Sequence, residues 1–260
     1  MDHCIHTPRG RLFARSWDPA RAAGAPIVLF HDSLGCVELW RSFPAALAES
    51  TGRRVIAYDR LGFGRSDPRT DKLAPDFIAE EAQVFFPALR AQLGFDRFVL
   101  FGHSVGGAMA VHCAAFHPQP CEALITESAQ SFVEHRTGAG VVEAREMFRQ
   151  PDQFARLERY HGEKARWVLD AWTETWLSPA FANWSLTEIL PRVQCPTLAM
   201  HGSLDEFGSR RHPEKIVEQV SGASELELIE GAGHVPHRER EAWVADRVAR
   251  FLKLGRDATF

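Results

Sequence analysis

Short apolar runs recur along the chain, each ending in a polar or glycine-bearing loop: IVLF at 27–30, RVIAY at 54–58, FVLF at 98–101, ALIT at 123–126, TLAM at 197–200 and LELI at 226–229. As a group they lack polar alternation, the pattern of strands covered on both faces. Between them, apolar residues three and four apart predict helices over 37–50, 76–93, 105–117 and 239–254. Strands alternating with amphipathic helices predict a mostly parallel sheet with helices on both faces, an α/β fold. Ahead of this pattern, 4–6 and 11–17 read as a hairpin around the turn residues Thr7-Pro8-Arg9-Gly10.

The alternation is interrupted once. From about 129 to 191 there is no strand pattern, only helical spacing carrying large aromatics: Phe132, Phe148, Phe154, Tyr160, Trp167, Trp172, Trp176, Phe181 and Trp184. The expected organisation is therefore a core of 1–128 and 191–260 with a helical lid, 129–190, inserted between two strands.

Composition removes other classes. With 45% hydrophobic and 25% charged residues the chain is an ordinary globular one. A net charge of −4 without a basic block excludes the electrostatic footprint of a nucleic-acid binder. No apolar run approaches the roughly 18 residues of a membrane span, and the first residues, MDHCIHTPRGRLF, lack a secretory pattern. Five scattered cysteines (Cys4, Cys36, Cys113, Cys121, Cys195) without a C-x-x-C pair fit reduced thiols and a cytoplasmic address.

The chemistry concentrates at strand ends. FVLF runs directly into Gly102-His103-Ser104-Val105-Gly106-Gly107 and then a helix, the strand–turn–helix setting that gives G-x-S-x-G its meaning as a nucleophile elbow. Glycines two residues either side allow so sharp a turn, and the helix N-terminus favours developing negative charge at Ser104. Serine needs a base and the base needs an orienting acid. TLAM leads to Asp205 and LELI to Gly231-Ala232-Gly233-His234. All three loops emerge at the carboxyl edge of a parallel sheet, where sites form.

The sequence resembles the serine-nucleophile branch of the α/β-hydrolase superfamily. The likeness rests on the N-terminal hairpin, His31-Asp32-Ser33-Leu34-Gly35, Asp59-x-x-Gly-x-Gly-x-Ser66, the elbow, and the Asp205 and His234 loops. In detail it is similar to small bacterial carboxylesterases, enol-lactonases and carbon–carbon bond hydrolases. The resemblance implies a cofactor-independent hydrolase with Ser104 as nucleophile, His234 as general base and then acid, and Asp205 orienting the imidazole. It implies an oxyanion hole from the backbone N–H groups of Ser33 and Val105. Where relatives carry His-Gly, this chain has His31-Asp32, and Asp32 is expected to face away from the site.

Several residues compete for these roles. Glu127, just past ALIT, rivals Asp205 as the acid, and Glu206 is its neighbour. His237 lacks further ligands at metal spacing and is read as a surface or packing residue, so no metal is expected. His103 reads as packing beneath the elbow rather than a second base. The glycines of 59–66 lack the third glycine and following helix of a dinucleotide fingerprint, leaving a loop that braces the site. Candidate substrate contacts are Leu34, His103, Phe132, Trp172 and Trp176. Residues 130–190 hold seven Arg and Lys against nine Asp and Glu, so the insertion is no trap for highly anionic substrates; Arg136, Arg145 or Arg149 could read a single carboxylate.

The expected partner is a small ester, lactone or ring-cleavage diketone, with a homodimer left open. Hydrolysis of an ester or lactone leads. Carbon–carbon cleavage of a vinylogous diketone and a ligand-binding receptor on the same fold are the alternatives.

Overall fold

Four consecutive apolar residues form strand β3 (Ile27–Phe30), and its side chains point alternately to two different cores. Val28 and Phe30 join Leu100, Leu124 and Ala199 on one face; Ile27 and Leu29 join Val99, Phe101, Ile125 and Leu198 on the other. Burial on both faces explains why these strands show no polar alternation. Burying each such side chain stabilises the fold by about 1.5–3 kcal/mol.

The computed structural model describes residues 1–257, with side chains to residue 254. With β1 (Asp2–Thr7), β2 (Gly10–Trp17), β4 (Val55–Tyr58), β5 (Phe98–His103), β6 (Cys121–Glu127), β7 (Thr197–Gly202) and β8 (Ser224–Ile229), β3 forms one sheet in the order β1-β2-β4-β3-β5-β6-β7-β8. The β1–β2 and β2–β4 pairs are antiparallel and all others parallel. This is the mostly parallel α/β sheet that the sequence pattern predicts, in the α/β-hydrolase architecture that the resemblance implies. Helices α1 (Phe43–Thr51) and α10 (Glu241–Asp257) cover one face; α2 (Phe77–Glu80), α3 (Phe86–Leu93) and α4 (Val105–Phe116) cover the other. No described helix is long and apolar enough to cross a membrane.

One expected helix is broken next to a proline, and another carries a wider turn beside one. Residues 37–50 divide into a 3₁₀ turn (Val37–Trp40) and α1, with Pro44 in the first turn of α1. A proline ring clashes with the carbonyl four residues back, here Trp40, so one continuous helix is excluded. Residues 77–93 stay helical without interruption, α2 and α3 being joined by a π-turn, Glu81–Phe85, with Pro87 at the start of α3. The β7–β8 crossover contains α8 (Arg211–Gln219), which sequence periodicity missed. The last helical pattern begins earlier than expected, with α9 (Pro236–Glu239) ahead of α10.

Between β6 and β7 the chain forms α5 (His135–Met147), α6 (Pro151–His161) and α7 (Ala165–Trp176), and its only described β contact is an isolated Phe132–Ser185 bridge. This helical insertion is anchored on the 59–66 loop. The Lys164 ammonium donates to the Gly64 carbonyl at 2.6 Å, the Gly64 N–H donates to His161 Nδ1 at 3.0 Å, and Phe63 packs among Leu157, Val168 and Leu169. Gly62 is required there: a Cβ would lie 2.4 Å from the Trp167 ring, and φ is +91°. The loop therefore carries the insertion, not only the site.

Candidate active site

The elbow is a steric device. Ser104 sits between β5 and α4 at φ 56°, ψ −128°, a region disfavoured for a residue with a Cβ. A Cβ on Gly102 would lie 2.3 Å from the Gly106 carbonyl oxygen, and one on Gly106 would lie 2.2 Å from the Phe30 oxygen. The turn closes only with glycine at both places. Its N–H donates to the Glu127 carbonyl at 2.9 Å, fixing the elbow to β6.

Three side chains from three strand ends meet over it. His234 Nε2 lies 3.1 Å from Ser104 Oγ, and His234 Nδ1 lies 2.9 Å from both carboxylate oxygens of Asp205. Asp205 Oδ1 also accepts the N–H groups of Phe207 and Gly208 at 2.8 and 3.0 Å. Burial works to raise the Asp205 pKa, but the hydrogen bond and charge of His234 outweigh it and hold the acid at about 2. For His234 burial favours the neutral ring; Asp205, then Glu206 and Asp32, reverse that and raise its pKa above the usual 6.5. The arrangement can take a proton from Ser104 and keep the resulting imidazolium paired.

Glu127 does not contact His234. Its Oε2 accepts from His237 Nδ1 at 2.5 Å and lies 3.2 Å from His103 Nδ1, so the rival acid serves a separate buried network under the elbow. His237 is accordingly a buried partner of Glu127, 2% exposed, rather than a surface residue. Among the described residues, His103, Glu127 and His237 are the group whose ligand atoms, within 4.8 Å of one another, could face one ion. The 2.5 Å contact is a hydrogen-bond length, whereas two ligands on a tetrahedral zinc stand roughly 3.3 Å apart. The geometry is that of a proton shared between side chains.

A partly open cavity of about 160 Å³ lies above Ser104, walled by Leu34, Val141, Trp172, Trp176, Phe207 and Val235, with Ser33, Gln130 and Thr137 as neutral polar groups. The insertion supplies Thr137, Val141, Trp172 and Trp176. Two of the five candidate contacts lie elsewhere. Phe132 stacks on His212 with centroids 4.3 Å apart, on the far side of the insertion's base, and faces a surface groove. His103 points beneath the elbow towards Glu127 and Trp40. Both follow from the direction of the backbone, which sequence position alone does not give.

Asp32 is a further difference. It lines the cavity, and its carboxylate folds over Gly35, where a Cβ would come within 2.1 Å of Oδ1. Ser33 lines the cavity too, and among the described residues its N–H has no hydrogen-bond partner. Val105, first residue of α4, has an N–H without a partner one turn back in its helix. Arg136 donates to the Asp205 carbonyl at 3.0 Å, and Arg149 pairs with Glu146 at 2.8 Å. None of the three arginines lines the cavity, whose charged walls are Asp32, Glu206 and His234. Gln130, Thr137, Val141, Glu206, Phe207 and Val235 were missed as cavity residues. Gln130 was open to the strand-end rule that nominated Asp205, since it follows β6 as Asp205 follows β7.

The chain belongs to the alpha/beta hydrolase fold family, whose sequence profile matches residues 25–175. It is 24% identical to a proline iminopeptidase of Lactobacillus helveticus over 259 residues, covering 85% of this chain and 87% of that one. Among solved structures it is similar to a bacterial membrane phospholipase A described as a virulence factor (TM-score 0.82, 22% identity, 98% of this chain and 86% of that one). It is also similar to the enol-lactonase of Burkholderia xenovorans LB400 (TM-score 0.74, 19% identity, 96% and 100%). These relatives agree in fold and are by name a peptidase, a phospholipase and a lactonase.

Proposed function

We propose that the protein is a cofactor-independent serine hydrolase that cleaves a small carboxylic ester or lactone through an acyl-enzyme. Ser104 Oγ attacks the carbonyl carbon while its proton passes to His234 Nε2. The tetrahedral oxyanion is held by the N–H groups of Ser33 and Val105. His234 returns the proton to the leaving oxygen, the carbon–oxygen bond breaks, and the acyl group stays on Ser104. Water, deprotonated by His234, then releases the acid and restores Ser104. The insertion, residues 129–190, acts as the cap that walls the acyl pocket.

The observation carrying this reading is the unbroken Asp205–His234–Ser104 relay, with contacts of 2.9 and 3.1 Å, at the floor of an apolar cavity. The test is hydrolysis of p-nitrophenyl esters of increasing acyl length and of simple lactones. Turnover by wild type and its loss in Ser104→Ala with the fold intact is expected; equal turnover by the variant overturns the assignment.

One observation favours a second reading. Asp32 and Glu206 line the cavity without a lysine or arginine among its walls, an environment suited to a substrate with an ammonium group near the scissile bond. The relative named a proline iminopeptidase is in keeping with an amide of this kind. Proline p-nitroanilide cleaved faster than p-nitrophenyl acetate selects this reading; the reverse order selects the ester.

A further inference from the structure

The Ser104 hydroxyl has a second neighbour. Its Oγ lies 3.2 Å from the side-chain carbonyl of Gln130, almost as near as the 3.1 Å to His234 Nε2. Gln130 is 4% exposed and lines the cavity, although nothing in the relay requires it. The chain is built to hold it there. Ser128 takes φ 48°, a left-handed conformation uncommon for a residue with a side chain, and is 1% exposed. Such strain persists only where surrounding structure imposes it. On the other side of Gln130, the Ser131 N–H donates to His212 Nδ1 at 3.1 Å and the Ser131 carbonyl accepts from Leu186 N–H at 2.8 Å. Close approach of α4 completes the setting: a Cβ on Gly107 would lie 2.4 Å from the Ala129 Cβ.

A serine hydroxyl has one proton to donate. With Asp205 ionised, His234 Nδ1 carries a hydrogen. When His234 is neutral, Nε2 is bare and accepts the Ser104 proton, the arrangement that arms the nucleophile. When His234 is protonated, Nε2–H donates to Oγ instead, and the Ser104 hydroxyl must turn to another acceptor. Among the described residues that acceptor is Gln130 Oε1. We propose that Gln130 is a positioning residue: it receives the Ser104 hydroxyl only when His234 is protonated, stabilises that unarmed form, and so sets the pH at which the Ser104–His234 pair becomes competent. Once Oγ is bonded to an acyl carbon it has no proton, so this hydrogen bond favours the resting state and not the tetrahedral intermediate.

The other groups facing His234 act on both forms of Gln130's environment alike. They are Asp205 and Glu206 on the acid loop, Asp32 after β3, His201 on β7 and His103 on β5, whose ring is 5.1 Å from that of His234. His103 is in turn paired with Glu127, and Arg136 reaches the Asp205 carbonyl. None of them accepts the Ser104 proton.

The proposal rests on Ser104 being the nucleophile, and one experiment separates the two. The rate of covalent labelling by a fluorophosphonate is measured across pH for wild type, Ser104→Ala, Gln130→Met and Gln130→Glu. Labelling in wild type and none in Ser104→Ala supports the nucleophile; label-free wild type removes both claims. Gln130→Met deletes the acceptor, and the acid-limb midpoint is expected to fall by about 0.5–1 pH unit, the size of one hydrogen bond. Gln130→Glu keeps an acceptor and adds charge, so its midpoint is expected to rise. NMR titration of the His234 ring reads the same shifts without turnover, including in a slow variant. Labelling lowered equally at every pH with the midpoint unmoved, or a midpoint that rises in Gln130→Met, overturns the proposal.

Discussion

Two buried histidine–carboxylate networks lie side by side at the carboxyl edge of the sheet, and they behave as opposites. Glu127 ends β6 and Asp205 lies in the loop after β7, and both are held ionised at about 2 against burial by neighbouring histidines. Their histidines diverge. Asp205, Glu206 and Asp32 outweigh burial at His234 and raise its pKa, whereas at His237 burial outweighs Glu127 and lowers it. His234 borders the cavity and a serine; His237 is wedged against Trp40, 4.6 Å between centroids, and is hydrogen-bonded to Glu127 rather than to a serine. A perturbed carboxylate therefore marks two kinds of place here. Access and a neighbouring nucleophile, not the shift, separate the reactive network from the structural one.

The largest expected effect that separates them is loss of activity. Ser104→Ala or His234→Ala lowers kcat on the order of 10⁶-fold, as in other serine triads, measured with the best p-nitrophenyl ester. Asp205→Asn, which leaves the imidazole in the wrong tautomer, costs about 10⁴-fold. Glu127→Gln is the counterpart: activity stays far above that of Asp205→Asn, while stability drops by about 1.5–3 kcal/mol as hydrogen bonds to a charged group weaken. Urea unfolding beside ester kinetics checks the pair; an equal kinetic loss in both would erase the distinction.

The oxyanion hole comes next. Ser33→Pro removes the N–H and is expected to lower kcat roughly 10²–10³-fold, whereas Ser33→Ala, which keeps it, stays near wild type. Similar losses from both would assign the role to the side chain.

The smallest effect is in pH dependence, and its sign differs between the networks. A neutral His234 is needed for activity, so the acid limb of kcat/KM is expected above 6.5, the ordinary histidine value. The raised His234 pKa itself stabilises the fold below 6.5, a contribution lost as pH rises through the folded value. His237, His112 and His212 act the opposite way. His112 and His212 have pKa values lowered to about 4 by burial, so below 6.5 the unfolded chain binds more protons and stability falls as pH drops from 6.5 through 4. Glu127 and Asp205 extend that loss as pH falls from their ordinary 4.5 and 3.8 towards 2. Urea midpoints at several pH values from 8 to 3 read the sum, in which Asp59 and Glu81, raised by burial to about 6 and about 7, oppose the histidines; a midpoint rising as pH falls below 3.8 would contradict it.

Much of this was legible in the sequence because the decisive features are local. A buried strand, a Gly-flanked serine and a loop after each later strand place Ser104, Asp205 and His234 at one edge without tertiary information. The break before Pro44 had a written signal in the proline, overridden by apolar spacing. What was hidden depends on direction in space. Phe132 turns to His212 rather than the cavity, and the Asp32 carboxylate packs over Gly35. Gln130 reaches Ser104 only because Ser128 adopts a backbone angle that no composition rule announces.

The central claim is tested most directly by trapping the intermediate. The protein is mixed with p-nitrophenyl acetate, quenched in acid within the burst, and peptide-mapped by mass spectrometry. The expected result is one acetyl group on Ser104, absent from Ser104→Ala and His234→Ala. Steady ester turnover with no acyl group on Ser104, or acylation that survives in Ser104→Ala, would contradict it.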